Sequence, residues 1–357
     1  MSEQKQASRR RFRIWMVANG VVLAAITGWL LKPGTGDLPT PAAAPAPVTS
    51  VTASPSSEPT VITKEAVLAL PGQHFGLSSP DVPWSSARLG ELSTSAGAKP
   101  SMIMTFTKWT EEFRADVVKR SYEQGAVPII SWEPWAGIKS GTSQPAYALS
   151  KIEKGDFDPY ITRFATALRD ARLPVAIRFA HEMNGNWYPW SERQSGNKKG
   201  EYVRAWRHVH DIFEKVGADN AIWLWSPNIL RPVPSVSISA LYPGDKYVDW
   251  VGMVGYAVAE STAAPVFDPT LKALRAVTRK PVVITETGVQ PGSRKVGWIQ
   301  DFFRWLPKHP EVIGFVWFEY STKDGGNADW RFTANAQTTQ AFRTGVTSLK
   351  LAPAPRG

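Results

Sequence analysis

Val175 to Trp190 reads VAIRFAHEMNGNWYPW, an apolar run that ends in a carboxylate and continues into three aromatic residues. A short, buried, β-branched run bounded by turn-forming Asn and Gly has the pattern of a parallel strand delivering its last residues to a loop. A second stretch of the same kind, PVVITETG at 281–288, ends in Glu286 about 100 residues later. Two strands that each place a glutamate at the C-terminal end define the fold question. What architecture brings such ends together?

Working outward, similar runs occur at His74–Leu77, Met102–Phe106, Val127–Trp132, Ile222–Ser226, Trp250–Tyr256 and Ile313–Phe318. Helix-patterned stretches lie between the runs at Glu111–Gln124, Pro159–Arg172, Glu201–Val216, Pro269–Thr278, Val296–Leu306 and Ala336–Leu349. Eight strand signals interleaved with helices predict a single α/β (β/α)8 TIM barrel over residues 69–350. A doubly wound open sheet is the alternative, but no glycine-rich phosphate loop follows the first strand. In a barrel, functional residues gather where strands end. Those ends carry Lys108-Trp109, Trp132-Glu133-Pro134-Trp135, His181-Glu182, Ser226-Pro227-Asn228, Tyr256, Glu286 and Trp317-Phe318-Glu319-Tyr320.

The chain of 357 residues has sixteen tryptophans, no cysteine and a formal net charge of +10. Absence of cysteine excludes disulfides, thiolate metal sites and cysteine nucleophiles. The basic residues form no block of the kind that marks a nucleic-acid face, so no nucleic-acid partner is expected. Indole is well suited to stacking on the apolar face of a sugar ring, although most tryptophans in a chain this long fill the core.

Before the barrel, a basic segment containing Arg9, Arg10, Arg11 and Arg13 precedes the uncharged run Ile14–Leu31. About 18 residues at 1.5 Å each span roughly 27 Å, enough for a bilayer core. Residues 1–32 are therefore expected to be a membrane anchor that leaves the remainder outside the cytoplasm. Ser8-Arg9-Arg10-Arg11-Phe12 also resembles a twin-arginine export signal, in which case the body is secreted. Residues 33–68, rich in Pro, Ala, Ser and Thr, read as an extended spacer, and 351–357 as a tail.

Hydrolysis of a glycosidic bond requires one carboxyl to protonate the leaving oxygen and a second to attack the anomeric carbon or activate water. Strand alternation is expected to put Arg178, Ala180 and Glu182 on one side of their strand, and Val282, Ile284 and Glu286 on one side of theirs. Glu182 and Glu286 are the expected catalytic pair, and their mutual repulsion raises the pKa of Glu182. Their bland alternative is a pair of salt bridges at the barrel rim. Glu133 and Glu319 sit at comparable strand ends and rank below the pair. An inward Arg178 needs a partner, and Glu286 is the natural one.

Trp132 and Asn228 are candidate substrate contacts. His181 either hydrogen-bonds a sugar hydroxyl or packs behind the site. Metal is not expected: His181-Glu182 resembles the start of a zinc HExxH motif, but Gly185 stands where its second histidine would be. No cofactor is implied, and no Gly-x-Ser-x-Gly elbow marks a serine esterase.

HEMNGNWYPW, VITETG and the closing VWFEY together resemble glycoside hydrolase family 26, over about residues 70–350. The resemblance implies a retaining (β/α)8 endo-β-glycanase. Glu182 would be the acid/base and Glu286 the nucleophile, with His181 and Trp187 as substrate contacts. Tyr256 would hydrogen-bond the nucleophile, and Trp317 would floor the subsite of the cleaved sugar. β-1,4-Mannan is the family default, while β-1,3 or mixed-linkage glucan and β-1,3-xylan are the rivals. A non-catalytic wall-binding protein is the reading from another class. A monomer acting on a neutral polysaccharide is expected.

Overall fold

A computed structural model of the chain describes residues 62–355. The expected anchor at 1–32 and most of the spacer lie outside them. No helix among the described residues is long and apolar enough to cross a membrane. The described residues begin inside the span expected as spacer. Thr63 caps the short helix α1 (Lys64–Leu68) by accepting from the Ala66 amide, and Val67 of that helix is buried.

Eight parallel strands close into a barrel in sequence order: β1 (His74–Ser78), β2 (Met102–Lys108), β3 (Val127–Glu133), β4 (Val175–Phe179), β5 (Ala221–Trp225), β6 (Trp250–Ala257), β7 (Val282–Val289) and β8 (Val312–Phe318). The helices after α1 are α2 (Ser86–Ala96), α3 (Ala115–Glu123), α4 (Leu149–Glu153), α5 (Asp158–Asp170), α6 (Glu201–Val216), α7 (Ala264–Arg275), α8 (Lys295–Trp305) and α9 (Ala336–Thr347). The (β/α)8 expectation therefore holds for the described body, with one gap. Between β5 and β6 only short 3-10 turns occur, at Ser239–Leu241 and Asp245–Tyr247, because Pro232, Pro234 and Pro243 punctuate that stretch.

Helix α6 shows why the repeat forms. Tyr202, Ala205, Trp206, Val209 and Phe213 recur at helical spacing and are buried, and Gly217 at φ 74° closes the helix in the left-handed region. Helix α7 starts earlier than expected, at Ala264 with Pro265 in its first turn, and carries Pro269 inside.

Strand alternation sorts the side chains into two cores. Inside the barrel, Met102, Met104, Val127, Ile129, Ala176, Ile222, Leu224, Trp250, Val283 and Val316 pack together, and Val67 of α1 joins them from the end where the strands begin. On the outer faces, residues such as Ile130, Trp132, Ile177, Phe179, Val282, Ile284, Phe315 and Trp317 pack against the helices. Above the inner plug a polar layer replaces the apolar one. Arg178, wholly buried, donates to Ser131 Oγ (2.7 Å) and Ser226 Oγ (3.1 Å), and Ser226 Oγ lies 2.7 Å from Thr285 Oγ1. This layer is the floor on which the candidate site stands.

Candidate active site

The glutamate of the opening stretch is not delivered by simple alternation. β4 ends at Phe179, and the chain then passes through Ala180 (φ 44°) and Glu182 (φ 54°), both in the left-handed region that costs a non-glycine residue roughly 1–3 kcal/mol. The Glu182 amide is tied to the end of β5 by donating to the Ser226 carbonyl at 2.7 Å. The resulting kink turns the carboxyl into the cleft.

The residues after it hold that carboxyl. The Trp187 indole N–H donates to Glu182 Oε2 at 2.5 Å, and the Asn228 amide donates to Oε1 at 2.9 Å. Asn184 in turn brackets Asn228, accepting from its backbone amide and donating to its carbonyl, each at 2.8 Å. Gly185 is required because the Trp187 ring lies over it; a Cβ there would sit 2.5 Å from the ring. The NG-x-W run is thus a bracket for Glu182. The loop is fixed further by Trp190, whose indole donates to the His181 carbonyl (2.6 Å), and by Arg193, which donates to the carbonyls of Asn184 and Gly185 (2.7 and 2.9 Å).

Glu286 also reaches the cleft against expectation. Val282 and Ile284 face the outer helices, while Val283 and Thr285 face inward. Regular alternation would therefore point Glu286 outward. The register with β6 slips here: Met253 pairs with Ile284, but Val254 pairs with Glu286, and the ladder with β8 jumps over the same residues. This β-bulge returns Glu286 to the barrel mouth, a common use of bulges beside functional sites. There its Oε1 pairs with Arg178 Nη1 at 2.7 Å and its Oε2 accepts from Tyr256 Oη at 2.7 Å.

Glu182, Glu286 and Tyr256 line one cleft of about 620 Å³ together with Glu133, Tyr188, Phe318, Tyr320 and Trp330. Burial, then the charge of Glu286, pushes the Glu182 carboxyl well above the ordinary carboxylate range, against the opposing pull of Arg178, Trp187 and Asn228. A carboxyl that keeps its proton near neutrality thus shares one cleft with a carboxylate held by a guanidinium and a phenol. That pair can protonate one atom while the other attacks its neighbour.

The other sequence candidates divide. Asn228 and Trp187 touch Glu182 and hold its carboxyl. Trp132 and Trp317 are not brought to the cleft. Both are on the outer faces of their strands and fully buried, Trp132 against Phe164 at 4.3 Å and Trp317 against Phe342 at 4.9 Å. The aromatic wall near β8 is formed instead by Phe318, Tyr320 and Trp330.

His181 is buried behind the cleft against Tyr188 and Trp190, with neither ring nitrogen hydrogen-bonded, and burial holds it well below the usual histidine range and so neutral. Its Nε2 lies 4.0 Å from Glu133 Oε1. Glu133 itself lines the cleft, accepts from the Trp135 indole at 3.0 Å, and is pushed up to about 7 by burial. Glu319, in contrast, accepts from the amides of Phe332 and Thr333 and from the Thr333 hydroxyl, so it caps a turn. Among the described residues no group of three or more His, Asp or Glu is arranged to hold a metal ion.

Comparison with known proteins follows the same lines. The model of Glycosyl hydrolase family 26 matches residues 143–302. Endoglucanase H of Acetivibrio thermocellus is 30% identical over 267 residues, covering 70% of this chain and 28% of that protein. A mannan endo-1,4-beta-mannosidase of Bacillus subtilis is 27% identical over 175 residues, 47% of this chain and 46% of the relative. Beta-1,3-xylanase TXYA of a Vibrio species is 21% identical over 272 residues, 68% of this chain and 55% of the relative. The chain thus spans between about a quarter and just over half of the length of these relatives. In structure, a β-mannanase from Bacteroides ovatus superposes with a TM-score of 0.63 at 18% identity, covering 81% of this chain and 92% of that one, a likeness of fold. With the family model lying across both glutamates, residues 143–302 of the chain match glycosyl hydrolase family 26.

Proposed function

We propose that the protein is a retaining endo-β-glycanase that hydrolyses a neutral β-linked polysaccharide. The observation that carries this reading is the pairing in one cleft of Glu182, buried and raised in pKa, with Glu286, held through both oxygens by Arg178 and Tyr256. Glu286 attacks the anomeric carbon as Glu182 gives its proton to the departing glycosidic oxygen, leaving a glycosyl ester on Glu286. Glu182, now ionised, takes a proton from water as the water oxygen attacks the anomeric carbon, and Glu286 leaves as a carboxylate. Both carboxyls return to their starting protonation states.

A neutral substrate is supported by the lining, which presents the carboxylates Glu111, Glu112, Glu286 and Asp324 against Lys108 and Arg114, beside the raised carboxyls of Glu133 and Glu182. An anionic polymer would meet repulsion there. β-1,4-Mannan is the leading substrate, supported by the mannosidase among the relatives; β-1,3 or mixed-linkage glucan and β-1,3-xylan follow, supported by the endoglucanase and xylanase. The basic and apolar N-terminal segment supports an exported, membrane-tethered protein, or a secreted one if that segment is cleaved.

The test is reducing-sugar release by the full-length chain from mannan, mixed-linkage glucan, β-1,3-glucan and β-1,3-xylan, with proton NMR of the first product. Release of a β-anomer, abolished in Glu286→Ala, is expected. An α-anomer would refute retention. Binding of a polymer without any cleavage would favour the wall-binding alternative.

A further inference from the structure

Among the described residues, Trp84 is the one large apolar side chain left exposed, with 37% of its surface open. A single exposed tryptophan is unremarkable on most surfaces. This one lies between β1 and α2 at the rim of the cleft that contains Glu182 and Glu286, beside Pro80, Phe113 and Arg114. Its position is supported: the Arg114 guanidinium stands 5.7 Å from the ring centroid. Arg114 is itself locked by a two-pronged contact, Nε and Nη2 donating to the two carboxylate oxygens of Asp116 at 2.8 and 2.7 Å. Its Nη1 makes no hydrogen bond among the described residues.

The cleft places this platform on a particular side. Glu182 follows β4 and Glu286 lies on β7, so a chain passing between them has one arm over the β8, β1, β2 and β3 rim and the other over β5 and β6. The lining residues come from β2, β6 and β7, from the last residues of β3 and β8 and from the segments after β1, β2, β3, β4 and β8, and none from the segment after β5. One arm of the substrate therefore has a built groove, and Trp84 stands on its rim.

Resting on the glycanase reading above, we infer that Trp84, braced by Arg114, is a stacking platform for a sugar ring distant from the scissile bond, a distal subsite on the β1–β2 rim. The indole covers the apolar face of a pyranose, and Arg114 Nη1 is placed to donate to a ring hydroxyl. Because the contact is remote from the reacting atoms, it acts on binding of long chains.

The test uses the full-length chain and oligosaccharides of increasing length from whichever polymer it cleaves. Trp84→Ala is expected to lower kcat/KM about tenfold on the longest oligosaccharides through KM, the usual scale for losing a buried tryptophan contact. The loss should shrink as the oligosaccharide becomes too short to reach the rim, and Trp84→Phe should recover most of it. A loss independent of length, or none at any length, would overturn the inference. Calorimetry separates it from the reading it rests on: with Glu286→Ala as background, Trp84→Ala should weaken the binding of the longest oligosaccharide by the same factor. Weakened binding by a chain that cleaves nothing would keep the subsite and refute the hydrolase.

Discussion

Replacing Trp187 by phenylalanine removes one hydrogen-bond donor from Glu182 while keeping an aromatic ring over Gly185. The indole N–H stabilises the ionised carboxyl more than the protonated one. A hydrogen bond to a charged group is worth about 1.5–3 kcal/mol, and one pKa unit corresponds to about 1.4 kcal/mol. Loss of the bond should raise the Glu182 pKa by about one to two units, toward the lower end because Asn228 still donates to the other oxygen. The sign of the kinetic effect follows from the role. Glu182 acts as an acid in the first step, so kcat/KM falls as pH rises through its pKa, and a higher pKa moves that fall to higher pH. The assay is the pH profile of kcat/KM for Trp187→Phe and the parent on one soluble oligosaccharide. An unmoved alkaline limb with a KM raised about tenfold would refute the bracket and make Trp187 a substrate platform.

Two further outcomes follow from the same geometry. Glu182→Gln replaces a carboxyl whose folded pKa lies above its ordinary value of 4.5. Its contribution to stability is therefore complete below about pH 4 and is lost as pH rises through the folded pKa. The variant should melt close to the parent at pH 4 and increasingly above it toward pH 8, by about 2 °C for each kcal/mol relieved; a difference that is constant with pH would contradict the assigned burial cost. Gly185→Ala forces the Trp187 ring away from a new Cβ. It should destabilise the protein by about 1–3 kcal/mol in chemical denaturation and shift the alkaline limb in the same direction as Trp187→Phe, whereas unchanged stability and an unchanged limb would show that the ring does not need this gap.

The barrel was legible because parallel strands buried on both faces produce unbroken apolar, β-branched runs, and all eight were found within a few residues of their ends. The same continuity hid the phase of each strand. In VVITETG nothing distinguishes inward from outward, and the bulge that turns Glu286 has no sequence marker. Trp132 was expected as a substrate contact for a related reason; in the structure Ser131 and Glu133 face inward, so Trp132 between them faces out. Trp317 follows the same rule beside inward-facing Val316. Helix α2, SARLGELSTSA, was missed because Ser, Thr and Gly are poor helix formers. It is held by a Ser85 cap, a left-handed Gly97 and the burial of Leu89, Leu92 and Ala96. The brackets on Glu182 were visible as residue types in HEMNGNW, but their function depended on contacts across to Asn228 that linear spacing does not encode.

The two glutamates reach the cleft by opposite departures from a regular repeat. β4 stops early and kinks through two left-handed residues, whereas β7 continues and gains a residue. Either departure alone would be unfavourable: the kink strains non-glycine backbone, and the bulge leaves ladder positions unpaired. Each is held by polar groups drawn from other strands, Ser226 and Asn228 after β5 for the first, Arg178 of β4 and Tyr256 of β6 for the second. Arg178 connects the two, since it lies on the strand that presents Glu182 and bonds the side chain of Glu286. A buried guanidinium without its carboxylate would be strongly unfavourable, as would the carboxylate without it. The fold therefore holds the strained ends in place through the same ion pair that sets the charge of the site, which ties the geometry of one glutamate to the electrostatics of the other.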